Sequence, residues 1–507
     1  MTISPPTTED TTQEAGAALP IVAMLMVVLL GFAAFAVDLG WFYLHTTRVQ
    51  RAADAAALAG VINMPYDFGQ AEIDAHDLAS VNGYVIDPDT NVDVTPVPDQ
   101  PNQIQVTVTD TVPTFFLKIF GKDFQTITRS ARAEFVPPLP LGSPEHQFGN
   151  FCDPAQAGCN NQPNFWANIH GKYTQRAMGD AYSPVCTGGS GTSCGGSNQL
   201  ARERGYLYGI EATPGTSFTV SFMDMAFHNR SGGTSTNDNH RTGDRGCEAG
   251  AWGNSTSAAC GQTIITTLFA PDGDPLEISN NTPLCTYTWT PRPQVVATAP
   301  YVAETPAGCF TVANANAGIY VLQVKVAEPT QVQWSGLNRY GLSVTPGARL
   351  YGLGDMSIYN NFTGSTTAFY LAEVGPGYRG KTFVVELFDP GEGNGFVQLM
   401  GPNGANNWAM FSTCRLFTRA QGVMTGGWTD QGQRSPCQFQ ADNSNPALTY
   451  QDRWVKLEVS VPANYDCEAA GDNCWWKINY DYTGGVNDTT TWRAYIVGNP
   501  IHLVPTE

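Results

Sequence analysis

Between Ala17 and Val37 the chain runs through twenty-one residues without a charge, AALPIVAMLMVVLLGFAAFAV. At helical rise this run covers about 30 Å, the thickness of a bilayer's hydrocarbon core. A secretory signal would carry a basic leading region, a shorter apolar core and a cleavage site. Residues 1–16 instead hold Glu9, Asp10 and Glu14 and no Lys or Arg, and the apolar run passes straight into more helical sequence. The expectation is a short tail over 1–16, then an uncleaved single membrane span, with membrane lipid as the first partner.

Helical pattern continues to Ile62. Six alanines between Ala52 and Ala59 favour helix, and Pro65 opposes further extension. Trp41, Phe42 and Tyr43 stand where an interfacial aromatic belt belongs. The segment 17–62 thus reads as one long helix, its first part in lipid and its second part packed on a domain. Gly16-Ala17-Ala18, the apolar run, Ala36-Val37-Asp38-Leu39-Gly40 and Arg48-x-x-Arg51-Ala52-Ala53-Asp54-Ala55-Ala56-Ala57-Leu58-Ala59-Gly60 together resemble the N-terminus of TadE/TadG-like Flp (tight adherence) pilus-assembly proteins. The resemblance covers about residues 14–62. It implies a pilin-like or minor-pilin-like membrane protein, with other pilus-assembly proteins as partners. One departure matters: a prepilin site has Glu five residues after the cleaved Gly, and here Ile21 follows Gly16 at that distance. A retained N-terminus, as in TadG-type members, fits better.

The twelve cysteines all follow the helix and fall into neighbouring pairs: Cys152 with Cys159, Cys186 with Cys194, Cys247 with Cys260, Cys285 with Cys309, Cys414 with Cys437 and Cys467 with Cys474. Turn-rich gaps and the lack of any CxxC favour disulfides over metal ligation. Disulfides place 152–474 in an oxidising compartment, outside the cytoplasm. Arg48 and Arg51 taken alone would set the opposite orientation, but long domains translocate largely regardless of local charge. Net charge is −19, from 26 basic and 45 acidic residues, which opposes nucleic-acid binding.

Only 14% of residues are charged, while Gly (52) and Pro (34) are frequent, a mix suited to short strands and turns. The fold class expected is mainly β with an N-terminal transmembrane helix. A small α+β unit over 63–135 contains the helix GQAEIDAHDLASVN, the strands NVDVTPV and QIQVTVTDTV, a short helix PTFFLKIFG and a last strand QTITRSARAEFV. A Pro-rich linker occupies 136–146. Two tandem β-sandwich, jelly-roll-like domains follow at 147–346 and 347–507. An internal duplication motivates that division. Blocks 179–183, 206–211, 219–224, 268–273, 318–324 and 338–344 parallel 354–359, 369–374, 384–389, 399–404, 453–459 and 492–497.

No HExxH occurs. The letters of GxSxG fall at 191–195, in a Gly/Ser-rich stretch that includes Cys194, and those of the P-loop and dinucleotide glycine spacings fall at 375–382, just before strand-like sequence, so no enzyme class is indicated. The aspartates Asp180, Asp224, Asp272, Asp355 and Asp389 are candidate calcium ligands, because hard cations take several oxygens and these residues end strands or sit in turns. The alternative is ordinary turn chemistry, in which Asp bonds its own backbone. Trp252, Trp408, Trp428, Trp475 and Trp476 lie in loop-like contexts and are candidate platforms for cell-surface glycans, against the commoner fate of buried packing. Two functions are carried forward: a structural, non-enzymatic protein of a pilus or envelope adhesion apparatus, and a membrane-tethered module that binds carbohydrate or another surface ligand.

Overall fold

The computed structural model describes residues 15–64, 68–98, 100–150, 165–171, 174, 176–184, 198–225, 227–229, 244–246, 264–272, 274–289, 301–304, 309–327, 336–362, 366–391, 393–404, 407–467, 474–484, 486–498 and 501–506. The chain divides into two compact units, Met1–Phe135 with Pro500–Glu507, and Val136–Asn499.

The first unit is built on helix α1 (Ala15–Gly60), 46 residues long. From Leu19 to Val37 its side chains are exposed, apart from half-buried Ala34. Burial then begins with a helical period: Val49, Ala52, Ala53, Ala56 and Ala57 are each at most 1% exposed. Their partners on helix α2 (Phe68–Val81) are Ala71, Ala75 and Ala79, all at 0%. Alanine on both faces lets two backbones approach closely. At Gly60, where α1 ends, an added Cβ would stand 2.5 Å from the Ala71 carbonyl oxygen. The expected helix to Ile62 finishes instead as a 3₁₀ turn over Val61–Asn63.

These helices cover one face of an antiparallel sheet of β1 (Thr90–Val97), β2 (Gln100–Pro113) and β3 (Phe124–Phe135). Strand β1 alternates: Thr90, Val92 and Val94 are buried, Asn91, Asp93 and Thr95 exposed. In β2, Ile104, Val106 and Val108 supply the core face. The other face carries hydroxyl pairs across β2 and β3, Thr107–Ser130 at 2.9 Å and Thr109–Thr128 at 3.1 Å. A fourth strand, Ile501–Val504, pairs with β3 in the register Ile501 to Phe135. Sequence patterning assigns that segment to the last β domain. Its partner lies more than 360 positions away, beyond any local pattern.

The second unit is mostly antiparallel β. Its main strands are β4 (Pro140–Leu141), β5 (Phe165–His170), β6 (Tyr206–Glu211), β7 (Phe218–Met225), β8 (Ile264–Phe269), β9 (Pro283–Trp289), β10 (Tyr301–Glu304), β11 (Tyr320–Val326) and β12 (Gly336–Val344), then β13 (Arg349–Leu353), β14 (Asp355–Phe362), β15 (Thr366–Glu373), β16 (Thr382–Phe388), β17 (Asn394–Pro402), β18 (Trp408–Met410), β19 (Trp454–Ser460), β20 (Trp475–Tyr482) and β21 (Val486–Ile496). Among the described residues they form two large sheets. One runs β10-β7-β12-β5-β14-β21-β16-β19 and continues into the strands Cys414–Thr418 and Thr429–Arg434. The other runs β9-β8-β11-β6-β13-β4-β15-β20-β17-β18.

Each sheet passes through both halves of the unit without a break. The halves place their strands in the same order: β5-β12-β7-β10 beside β14-β21-β16-β19 in one sheet, β6-β11-β8-β9 beside β15-β20-β17-β18 in the other. Blocks 206–211, 219–224 and 338–344 lie in β6, β7 and β12, and block 268–273 begins in β8; these strands match β15, β16, β21 and β17 in position. Two of the six parallels fail. Block 318–324 lies in β11, whose counterpart is β20 and not β19, the strand of 453–459. Block 179–183 follows a 3₁₀ turn, whereas its expected counterpart opens β14. A five-residue alternating pattern announces a strand but not the sheet it joins.

The Pro-rich segment 136–146, read as a linker, contributes to the core. Leu139 and Leu141 are 3% and 0% exposed. Strand β4, from the start of the first half, pairs with β13 and with β15 of the second half. Strand β13, from the start of the second half, pairs with β6 of the first. The halves therefore exchange their leading strands. Between the sheets an aromatic series crosses the join: Tyr208–Phe148 at 4.9 Å, Phe148–Phe165 at 5.3 Å, Phe165–Phe369 at 6.0 Å and Phe369–Tyr480 at 5.6 Å between centroids. These spacings fit edge-to-face contacts.

Three of the six expected disulfides are present, joining Cys285 to Cys309, Cys414 to Cys437 and Cys467 to Cys474. The other three expected pairs are Cys152 with Cys159, Cys186 with Cys194, and Cys247 with Cys260. Cys152, Cys159, Cys186, Cys194, Cys247 and Cys260 all lie outside the described residues.

Candidate functional site

The candidate calcium ligands Asp180, Asp272, Asp355 and Asp389 each have partners within the chain itself. Asp180 is 2% exposed, and both of its oxygens already accept protein donors. Oδ1 takes the Tyr182 amide at 3.0 Å and the Tyr206 hydroxyl at 2.6 Å, and Oδ2 takes the His170 amide at 2.9 Å. Burial raises its carboxyl above the ordinary range, against the pull of those three bonds and of Arg202. Asp355 pairs with Arg202, whose guanidinium also lies 3.7 Å from the Tyr182 ring centroid. The fold thus brings Asp180 and Asp355 to one neighbourhood, but the cation there is an arginine from the chain itself. Arg202 escapes sequence reading because Ala-Arg-Glu-Arg-Gly carries no local signal for burial. A small cavity of about 130 Å³ opens beside this group.

Asp389 is 2% exposed, with φ 59°, and its Oδ1 accepts the Asp452 amide at 3.0 Å. Asp452 in turn faces Arg176 at 2.6 Å, with both side chains fully buried. Burial lifts the Asp452 carboxyl to about 6 although Arg176 opposes it. Asp272 serves its own turn, accepting the Asp274 amide at 3.0 Å, which is the turn chemistry weighed against calcium. Asp224 lies in β7, where its backbone registers with Tyr340 and Val302. Among the described residues no three His, Cys, Asp or Glu side chains are grouped to hold a metal ion.

The aromatic candidates separate sharply. Trp475 and Trp476 are 2% and 0% exposed in β20 and belong to packed structure, so neither is a surface platform. The alternation of Trp476, Ile478, Tyr480 and Tyr482 is a strand signal hidden behind the turn-like Gly471-Asp472-Asn473. Trp252 lies outside the described residues. Trp408 and Trp428 are half-buried. The Lys477 ammonium sits 3.3 Å from the Trp408 ring centroid and 4.3 Å from that of Tyr370, and the Trp408 indole donates to the Trp475 carbonyl at 2.6 Å. Burial lowers the Lys477 ammonium to about 8. Trp428 lies under Arg419 at 4.1 Å and Lys456 at 5.0 Å.

In the first unit a further polar group stands apart. Asp38, just past the uncharged run, is fully buried. Its carboxylate accepts the amides of Phe115 (2.9 Å), Phe116 (2.9 Å) and Leu117 (2.6 Å), the start of a 3₁₀ turn at Leu117–Phe120. One carboxylate thereby satisfies three donors that a turn's own backbone leaves unpaired. Trp41 packs edge-on against Phe115 at 5.2 Å. Sequence reading places Asp38 in a motif and the short helix elsewhere, with nothing local to join them.

The family model described as Flp pilus-assembly TadE/G-like matches residues 16–63, which span α1 and its closing 3₁₀ turn. No curated protein matches the chain. Among solved structures, the N-terminal tandem CBM22-1–CBM22-2 domain of Paenibacillus barcinonensis Xyn10C is 7% identical, with 82% of this chain and 92% of that one covered, at a TM-score of 0.16. A Paenibacillus xanthan lyase is 10% identical, with 80% of this chain but 35% of that one covered, also at 0.16. At that score neither speaks for the fold or the ligand of this chain.

Proposed function

We propose that this chain is a membrane-anchored, non-enzymatic component of a Flp/Tad-type pilus-assembly or envelope-adhesion apparatus, which presents its β unit outside the cytoplasm. The observation that carries this reading is the change of character along α1. Its outer segment Leu19–Val37 offers an exposed apolar surface, and its inner segment packs through alanines on α2 and the sheet. The helix is long and apolar enough to cross a membrane. The TadE/G-like match falls on this same stretch. Three disulfides in the second unit favour an oxidising side of the membrane for it.

Protease treatment of intact cells or spheroplasts tests the topology: digestion of the β unit with survival of an α1 fragment in the membrane fraction is the expected result. Protection of the β unit until lysis would overturn it. Crosslinking followed by co-purification tests the assembly, with recovery of pilus-assembly proteins expected. A second reading, a tethered glycan-binding module, draws on the half-buried Trp408 beside Tyr370 and Lys477. A glycan array with the full chain in micelles separates the two, since a Trp408→Ala variant would lose signal only under the second.

A further inference from the structure

The turn between β2 and β3 presents its apolar side chains outward. Ile119 is 76% exposed, Phe120 81% and Phe124 64%. In water such a cluster would be an aggregation liability. It faces a groove of about 530 Å³, whose walls are Val28, Phe32 and Phe35 of α1 on one side and Leu117, Ile119 and Phe120 on the other. Val28, Phe32 and Phe35 belong to the uncharged run. Val28 is ten residues before Asp38, so the turn reaches about 15 Å along the helix, half of a hydrocarbon core.

We propose that the segment Phe115–Phe124 is a second membrane-inserting element, a wedge that enters the lipid leaflet nearest the folded unit. This inference rests on the membrane-span reading of α1. Three features fit it to lipid. Backbone amides buried in hydrocarbon must be satisfied internally. Here Phe115, Phe116 and Leu117 donate to Asp38, while Ile119, Gly121 and Lys122 donate to the carbonyls of Phe116, Lys118 and Leu117. The turn closes through Gly121 in the left-handed region (φ 78°), and the Thr114 amide bonds the Asp123 carbonyl at 2.9 Å, so the tip stands as a preformed unit. Lys118 and Lys122 are on the same turn, beside a single acid, Asp123. Their long stems can follow the apolar tip and carry the ammonium groups to lipid phosphates. Asp38 holds the wedge against α1 and thereby fixes the depth at which the helix sits.

The test uses full-length protein in vesicles of phosphatidylethanolamine and phosphatidylglycerol. Single cysteines are added as Phe120→Cys, Leu29→Cys or Val85→Cys and spin-labelled after disulfide formation, and the accessibility of each label to oxygen and to a water-soluble nickel chelate is read. All three positions are exposed, so the labels displace little packing. The expected result is an oxygen-rich ratio at position 120 matching position 29, with the label at position 85 nickel-rich. A nickel-rich label at 120 with 29 still oxygen-rich would overturn the wedge and leave the span standing. A nickel-rich label at 29 would overturn the span itself. A label at 120 shielded from both reagents would overturn the lipid assignment in favour of a protein cover, either a second copy or another subunit.

Discussion

The two units solve the same problem, filling an interior, with opposite side chains. The first brings elements together on residues that carry almost nothing: Ala52, Ala53, Ala56 and Ala57 of α1 meet Ala71, Ala75 and Ala79 of α2. The second holds its sheets apart on aromatic rings, with Trp454, Trp476, Trp492, Tyr208 and Tyr480 at most 1% exposed. Sheets stacked face to face stand about 10 Å apart and need large side chains to fill the gap. Helices packed through alanine leave no gap to fill. The difference teaches which volume change each unit tolerates: one should fail on addition, the other on removal.

The largest effects should come from the second unit. Trp492→Ala empties the space of a fully buried ring, at a cost of about 3–5 kcal/mol. Hydrogen exchange of peptides from β16 and β21, in the full chain in micelles, should show that loss, while peptides from α2 stay protected. Equal loss in both units would erase the contrast. Removing Asp452 should cost nearly as much, about 3–5 kcal/mol, because Asp452→Ala leaves the buried Arg176 guanidinium uncompensated. The paired change of Arg176→Met with Asp452→Asn, which keeps a side chain that tolerates the left-handed backbone there (φ 54°), should recover most of that loss in chemical denaturation. Failure to recover would mean that the pair contributes more than the charge balance it maintains.

In the first unit the sign of the volume change reverses. Ala56→Leu forces three extra carbons into a contact with no room and should cost about 1–3 kcal/mol, read as faster exchange in α2 and β2. A neutral result would show that α1 and α2 can separate, and that close approach is incidental. The smallest effect concerns Lys477, whose ammonium burial holds near 8. The unfolded chain binds that proton more tightly than the folded one, so Lys477 subtracts stability below about pH 8 and the penalty fades as pH rises further. At pH 8 it should acylate faster than Lys118 and Lys122, as measured by competitive labelling and mass spectrometry. Trp408→Ala should slow Lys477 toward the rate of those lysines by admitting water.

Much of the first unit is legible in the sequence because its signals are local. An uncharged run, an alanine stripe and two alternating strands each occupy one stretch of chain. What escapes is contact at a distance. The pairing of Ile501–Val504 with β3, the clamp of Asp38 on Phe115–Leu117 and the pairing of Arg202 with Asp355 join residues 77 to 366 positions apart, with no pattern to predict them. Strand content of the second unit is readable from alternation. Its sheet membership is not, because a strand's period fixes its faces and leaves its neighbours open. The aspartates show a related limit: acidic residues near turns are easily found, but carboxylates in such places bond arginines and amides as readily as cations.

The return of Ile501–Val504 to β3 has a consequence for attrition. Residues 136–499 are an excursion from the first unit, which holds the chain on both sides of it, covalently at Phe135 and by strand pairing after residue 499. A module strung on one tether is lost at the first cut. Here a single protease nick between 136 and 499 leaves the leading fragment joined by its peptide bond and the trailing fragment joined by β3, with two continuous sheets binding them to each other. Limited proteolysis of the full chain in vesicles should therefore give two bands on a denaturing gel but no released material in the supernatant. A variant ending at residue 499 should shed its trailing fragment more readily.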